Sequence, residues 1–81
     1  MAACQSGPPV QEMSDARQAI AAAKEAGADT LAADELQTAE EYLEKAEKRL
    51  NEKAYAQARR DAQQAKRSAL TALSIADDSD H

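Results

Sequence analysis

Six alanines, Ala58, Ala62, Ala65, Ala69, Ala72 and Ala76, recur at spacings of four and three, and no glycine or proline follows Gly27. That repeat places all six on one side of an α-helix as a single narrow seam. Side chains this small let two helix axes approach closely, so the attraction is van der Waals contact at backbone level. The seam reads as a packing surface, not a binding groove. Alanine supplies 21 of the 81 residues, against six Leu, two Ile, one Val and no Phe or Trp. Strands favour the β-branched and aromatic residues that are scarce here, so a sandwich or barrel is excluded. Ala, Leu, Arg, Lys, Gln and Glu are the strongest helix formers. The chain is expected to be all-α, thinly packed and of marginal stability.

Periodicity divides the chain into three helices, at about 13–26, 33–51 and 54–76. In the first, Met13, Ala16, Ile20 and Ala23 share a face. Ser14 and Asp15 are placed to cap its start, and Gly27 to take the left-handed position after its end. A connector at 28–32 follows, with Leu31 expected to tuck beneath it. The second helix carries Leu36, Ala39, Leu43, Ala46 and Leu50 in a three-four repeat, backed by Glu41–Lys45 and Glu44–Lys48 pairs. The apolar phase then resets at Tyr55 and Ala58. A turn at about 51–54 is expected there, with Asn51 as the residue tolerant of a left-handed cap. The alternative is one continuous helix, which would need partner chains. The expected architecture is a three-helix antiparallel bundle with an alanine-rich seam. A disordered tether (1–12) precedes it and a frayed acidic tail (77–81) follows.

The opening run Met1-Ala2-Ala3-Cys4-Gln5-Ser6-Gly7-Pro8-Pro9 stands apart from this pattern. Small residues before a lone cysteine, with a Gly/Pro/Ser-rich tether after it, resemble the end of a bacterial lipoprotein signal sequence. There the cysteine becomes the acylated first residue of the mature protein. Cys4 is therefore the expected lipidation site, and the charged and apolar parts of a signal peptide are expected upstream of Met1. Cys4 lies on no apolar stripe, and Gly-Pro-Pro makes a stiff, extended spacer.

Net charge is −5. This excludes nucleic acid as an expected partner and adsorption to an anionic membrane through a polybasic patch. No glycine-rich phosphate loop, paired-cysteine motif or HExxH occurs. His81 ends the chain beside Asp77, Asp78 and Asp80, a solvated tail and not a metal site. No enzymatic activity, metal, cofactor or small-molecule substrate is expected. The aromatic residues are Tyr42 and Tyr55, and tyrosine is enriched at interfaces. Arg59, Arg60, Lys66 and Arg67 gather positive charge on the third helix, expected to face the acidic second one. With the two tyrosines they form the candidate interaction surface.

The run Ala33-Asp34-Glu35-Leu36, with Ala39, Ala46 through Leu50 and Ala54-Tyr55-Ala56-Gln57-Ala58-Arg59, resembles a bacterial family of short alanine-rich lipoproteins. That family contains a helical domain of unknown function, sometimes beside an OmpA-like peptidoglycan-binding module. The likeness covers roughly 14–76. Members usually carry Gly-Asp before the tyrosine, where this chain has Lys53 and Ala54, and often Pro at the position of Ala33. The resemblance implies an envelope address and a helical hairpin or bundle, with no activity attached. Gln5 after the cysteine, by resemblance to enterobacterial sorting, implies the outer membrane. The expected role is a lipid-anchored, periplasm-facing scaffold or adaptor with an envelope-protein or peptidoglycan-associated partner. The alternatives are a soluble helical-hairpin interaction module and a coiled-coil oligomer like the small murein lipoproteins.

Overall fold

The computed structural model describes residues 7–79, of which 88% are helical and none lies in a strand. The fold is all-α. Four helices follow in order: α1 (Val10–Glu25), α2 (Ala28–Leu31), α3 (Ala33–Asn51) and α4 (Tyr55–Ser79). Three were expected; the addition is α2, a single turn where the connector was placed.

The first helix begins at Val10, not near residue 13, so residues 10–12 belong to it and not to a tether. Proline lacks an N–H and has a fixed φ, both suited to a helix start. Pro9 is the N-cap residue, and its carbonyl accepts the Met13 amide at 3.0 Å. Its side chain is fully buried. Ser14 and Asp15 therefore lie inside the helix, each paired one turn along: Gln11 Nε2 donates to Asp15 Oδ1 at 2.8 Å and Gln18 Nε2 to Ser14 Oγ at 3.5 Å.

Gly27 ends α1 in the left-handed region at φ 89°, donating to the Lys24 carbonyl at 3.0 Å. Its own carbonyl accepts from Leu31 at 2.9 Å and so starts α2. That turn aims Ala28 and Ala32 inward, both buried, and leaves Leu31 43% exposed. Leu31 does not tuck under the connector; the alanines already fill the space.

The turn at 52–54 separates α3 from α4, so no continuous helix runs through it, and the coiled-coil alternative loses the element it required. The Ala54 amide reaches back to the Arg49 carbonyl at 2.8 Å, and the Lys53 amide to Leu50 at 2.9 Å. This is the two-bond closure of a Schellman cap. Its left-handed residue is Lys53, at φ 63°, and not Asn51. A left-handed non-glycine residue costs about 1–2 kcal/mol in backbone sterics. Lys53→Gly removes that cost, partly offset by the greater freedom of glycine in the unfolded chain. A net gain of about 0.5–1 kcal/mol is expected, raising the thermal midpoint by a few degrees in a circular-dichroism melt.

Core side chains divide by helix. Every buried residue of α4 is alanine, whereas α1 contributes Met13 and Ile20, and α3 contributes Leu36. Leu43, Leu50, Leu73 and Ile75 pack at the margins. Helix α4 packs on both α1 and α3. The result is a slab of 45 × 27 × 13 Å. Its radius of gyration is 13.4 Å, above the roughly 12 Å of a globular chain of this length. Four ion pairs give the directions. Arg17–Glu47 (3.3 Å) and Lys24–Glu40 (2.9 Å) show α3 descending as α1 ascends. Glu12–Arg59 (3.4 Å) and Asp15–Lys66 (3.9 Å) show α1 and α4 ascending together.

Candidate functional site

These directions bring the start of α1, the 52–54 turn and the first turns of α4 to one end of the slab, where Arg59 organises the N-terminal segment. Arg59 lies on the flank of α4 that faces α1, with its side chain only 15% exposed. Nη2 donates to the Gly7 carbonyl at 3.0 Å. Nε is shielded from solvent and lies 3.4 Å from Glu12 Oε2, without a hydrogen bond of good direction. At that separation we count the contact as charge–charge attraction, which partly compensates the buried N–H. Pro9 is itself buried, and the two Arg59 contacts clamp the segment 7–12 to the base of α4.

The candidate cations thus separate into two pairs, the members of each seven residues apart. Arg59 and Lys66 face α1, where they meet Glu12 and Asp15. Arg60 and Arg67 are exposed, and Arg67 Nη1 donates to Gln64 Oε1 at 2.6 Å. The expected compensation between this helix and the acidic α3 is corrected: α4 pairs with α1, and the acids of α3 receive Arg17 and Lys24 from α1. Arg59 is therefore committed inside the fold, whereas Lys66 stays exposed beside Asp15. Tyr42 and Tyr55 are both half-buried. The Lys45 ammonium sits 5.2 Å from the Tyr42 ring centroid, a cation–π contact one turn along α3. Tyr55 opens α4. Cys4, the lipidation candidate, lies outside the described residues, as does His81.

Among the described residues, two open depressions stand out on the surface. One, of about 180 Å³ between α3 and α4, is lined by Asp34, Glu35, Thr38, Ser68 and Thr71. Both threonine hydroxyls donate within their own helices, to the Asp34 and Arg67 carbonyls at 3.0 Å. The other is a hollow among Glu41, Glu44, Lys45 and Lys48 of α3 alone. Among the described residues, no three of His, Cys, Asp and Glu gather closely enough to hold a metal ion, and no helix is long and apolar enough to cross a membrane.

The model of the domain of unknown function DUF4398 matches residues 11–79. The chain belongs to this family. Neither a curated protein nor a solved structure matches it. Sequence reasoning missed the clamp built from Gly7, Pro9, Glu12 and Arg59, whose first two residues precede the DUF4398 match. The consecutive prolines were its one local signal, since they also mark a helix start.

Proposed function

We propose that this DUF4398 protein is a non-enzymatic, lipid-anchored scaffold or adaptor of the bacterial envelope. It is acylated at Cys4, held at the outer membrane and turned toward the periplasm. The observation that carries the reading is Ala2-Ala3-Cys4 standing three residues before a clamped segment. Three residues span at most about 11 Å, so an anchor at Cys4 would keep the domain close to the lipid. In this reading the three long helices work as one up-down-up antiparallel bundle, with α2 completing the first bend. The open depressions and the aliphatic, mostly alanine core support a role as platform. Partners would meet side chains such as the exposed Arg67 and Lys45, the latter beside the half-buried Tyr42, with an envelope protein or a peptidoglycan-associated protein as partner class.

The deciding experiment expresses the gene with its upstream frame in a Gram-negative host. Intact-mass analysis should find the chain beginning at Cys4 with the added mass of acyl chains, in the membrane fraction. Cys4→Ser should abolish both. A wild-type protein with unmodified Cys4 in the soluble fraction would sink the proposal.

A further inference from the structure

The ion pairs sort charge along the long axis of the slab. At the clamped end, Glu12, Glu47 and Glu52 are each taken by an arginine: Arg59, Arg17 and Arg49. Lys48, Lys53 and Arg60 are exposed there and have no carboxylate within ion-pair distance among the described residues; the unpaired carboxylates toward this end are the half-buried Asp61 and Glu44, one turn from Lys48 in the same surface hollow. The opposite end is the reverse. Its one cation, Lys24, is taken by Glu40, while Glu25, Asp29, Asp34, Glu35, Asp77 and Asp78 are unpaired among the described residues. Helix dipoles add to the contrast, because two N-termini and one C-terminus lie at the clamped end.

We infer that the clamped end is a lipid-facing surface: Lys48, Lys53 and Arg60 contact anionic headgroups and the domain stands upright with its acidic end outward. The inference rests on the anchored reading above. It names the surface chemistry and orientation that the anchor would use. Three cations on a chain of charge −5 are too few to bring the free domain to a membrane. They need only choose which end faces it once Cys4 is held there. The reach from Cys4 to Gly7, at most about 11 Å, is close to the Debye length of about 8 Å at physiological salt. The acidic end, on a molecule 45 Å long, lies several Debye lengths away and is screened. Because Arg59 holds the Gly7 carbonyl, the chain leaves the domain at a fixed point beside these cations, which limits pivoting.

The test couples Cys4 chemically to a maleimide lipid in nanodiscs of phosphatidylglycerol and phosphatidylcholine that carry a gadolinium-chelating lipid. It therefore does not depend on natural acylation. Backbone amide signals of 50–60 should be lost, while those of 26–35 and 74–78 persist. On phosphatidylcholine alone, or with the exposed pair Lys53→Glu/Arg60→Glu, the far-end signals should weaken as the domain tilts. Arg59→Met, which retains the side-chain stem but frees Gly7, should do the same. Loss of signal along one whole side in the wild type, far end included, would overturn the upright orientation. An unchanged pattern without anionic lipid and in the charge-reversed pair would overturn the role of the cations. Failure of acylation in cells is read separately by mass and leaves this result standing.

Discussion

Ala69→Leu is expected to destabilise the domain by about 2–3 kcal/mol, the cost of forcing extra methylenes into a filled core. Ala69 is fully buried in the cluster that holds Ala19, Ile20 and Ala23 of α1 and Leu36 and Ala39 of α3. Its methyl group sits where three helices meet, and most of its buried neighbours are also alanines. A leucine there cannot be accommodated by turning a flexible neighbour aside. The helix axes must separate, and separation weakens contacts along the whole seam. A domain of this size is stable by only about 5 kcal/mol, so the loss would be roughly half of the total. Thermal unfolding should move down by roughly 10–20 °C. Ala56→Leu is the matched control, on the exposed side of the same helix. Alanine and leucine have similar helix propensity, so this change should stay within about 0.5 kcal/mol. Equal midpoints for the two variants in urea would show that the seam is not close-packed.

The seam itself was open to reading from the sequence, because burial on a helix follows a period that the chain displays directly. Ala58 through Ala76 at four-three spacing are all fully buried on α4. Leu36, Ala39 and Ala46 are likewise buried on α3, whose outer face bears the charges. Contacts between distant segments leave no such trace. The Arg59–Gly7 hydrogen bond joins residues 52 apart, and a local reading of Gly7-Pro8-Pro9 gives only a linker. The pairing of Arg59 and Lys66 with α1 depends on α1 and α4 ascending together, which no window on either helix records. Alternation of acidic and basic helices suggested the wrong partner for the same reason. Lys53 was hidden differently. Its left-handed conformation is imposed by the two amides that close α3, and lysine carries no intrinsic preference for it.

Leu36→Ala should cost about 3–4 kcal/mol, toward the upper part of the range for such truncations. Leu36 is 4% exposed near the start of α3, in the same cluster as Ala69, Ala72 and Ala76 of α4. Truncation removes its buried hydrocarbon and leaves a cavity, whose final cost depends on how far the surroundings collapse. Collapse is restricted here. The facing helix is already in contact through alanine methyl groups, so its axis has little distance left to close. Few large side chains stand near enough to swing into the gap; Leu43, Leu73 and Ile75 border the cluster and are only partly buried. An alanine-rich core thus makes each of its rare large residues carry an unusual share of stability. Urea unfolding should show a midpoint lowered by more than half, with the slope unchanged if the native fold persists. Leu70→Ala is the comparison, since Leu70 is 45% exposed on α4. It should cost about 1 kcal/mol or less, because nearly half of its surface already meets water. A Leu36→Ala cost no greater than that of Leu70→Ala would mean the helices close over the missing volume, and the alanine seam would then be compliant instead of rigid.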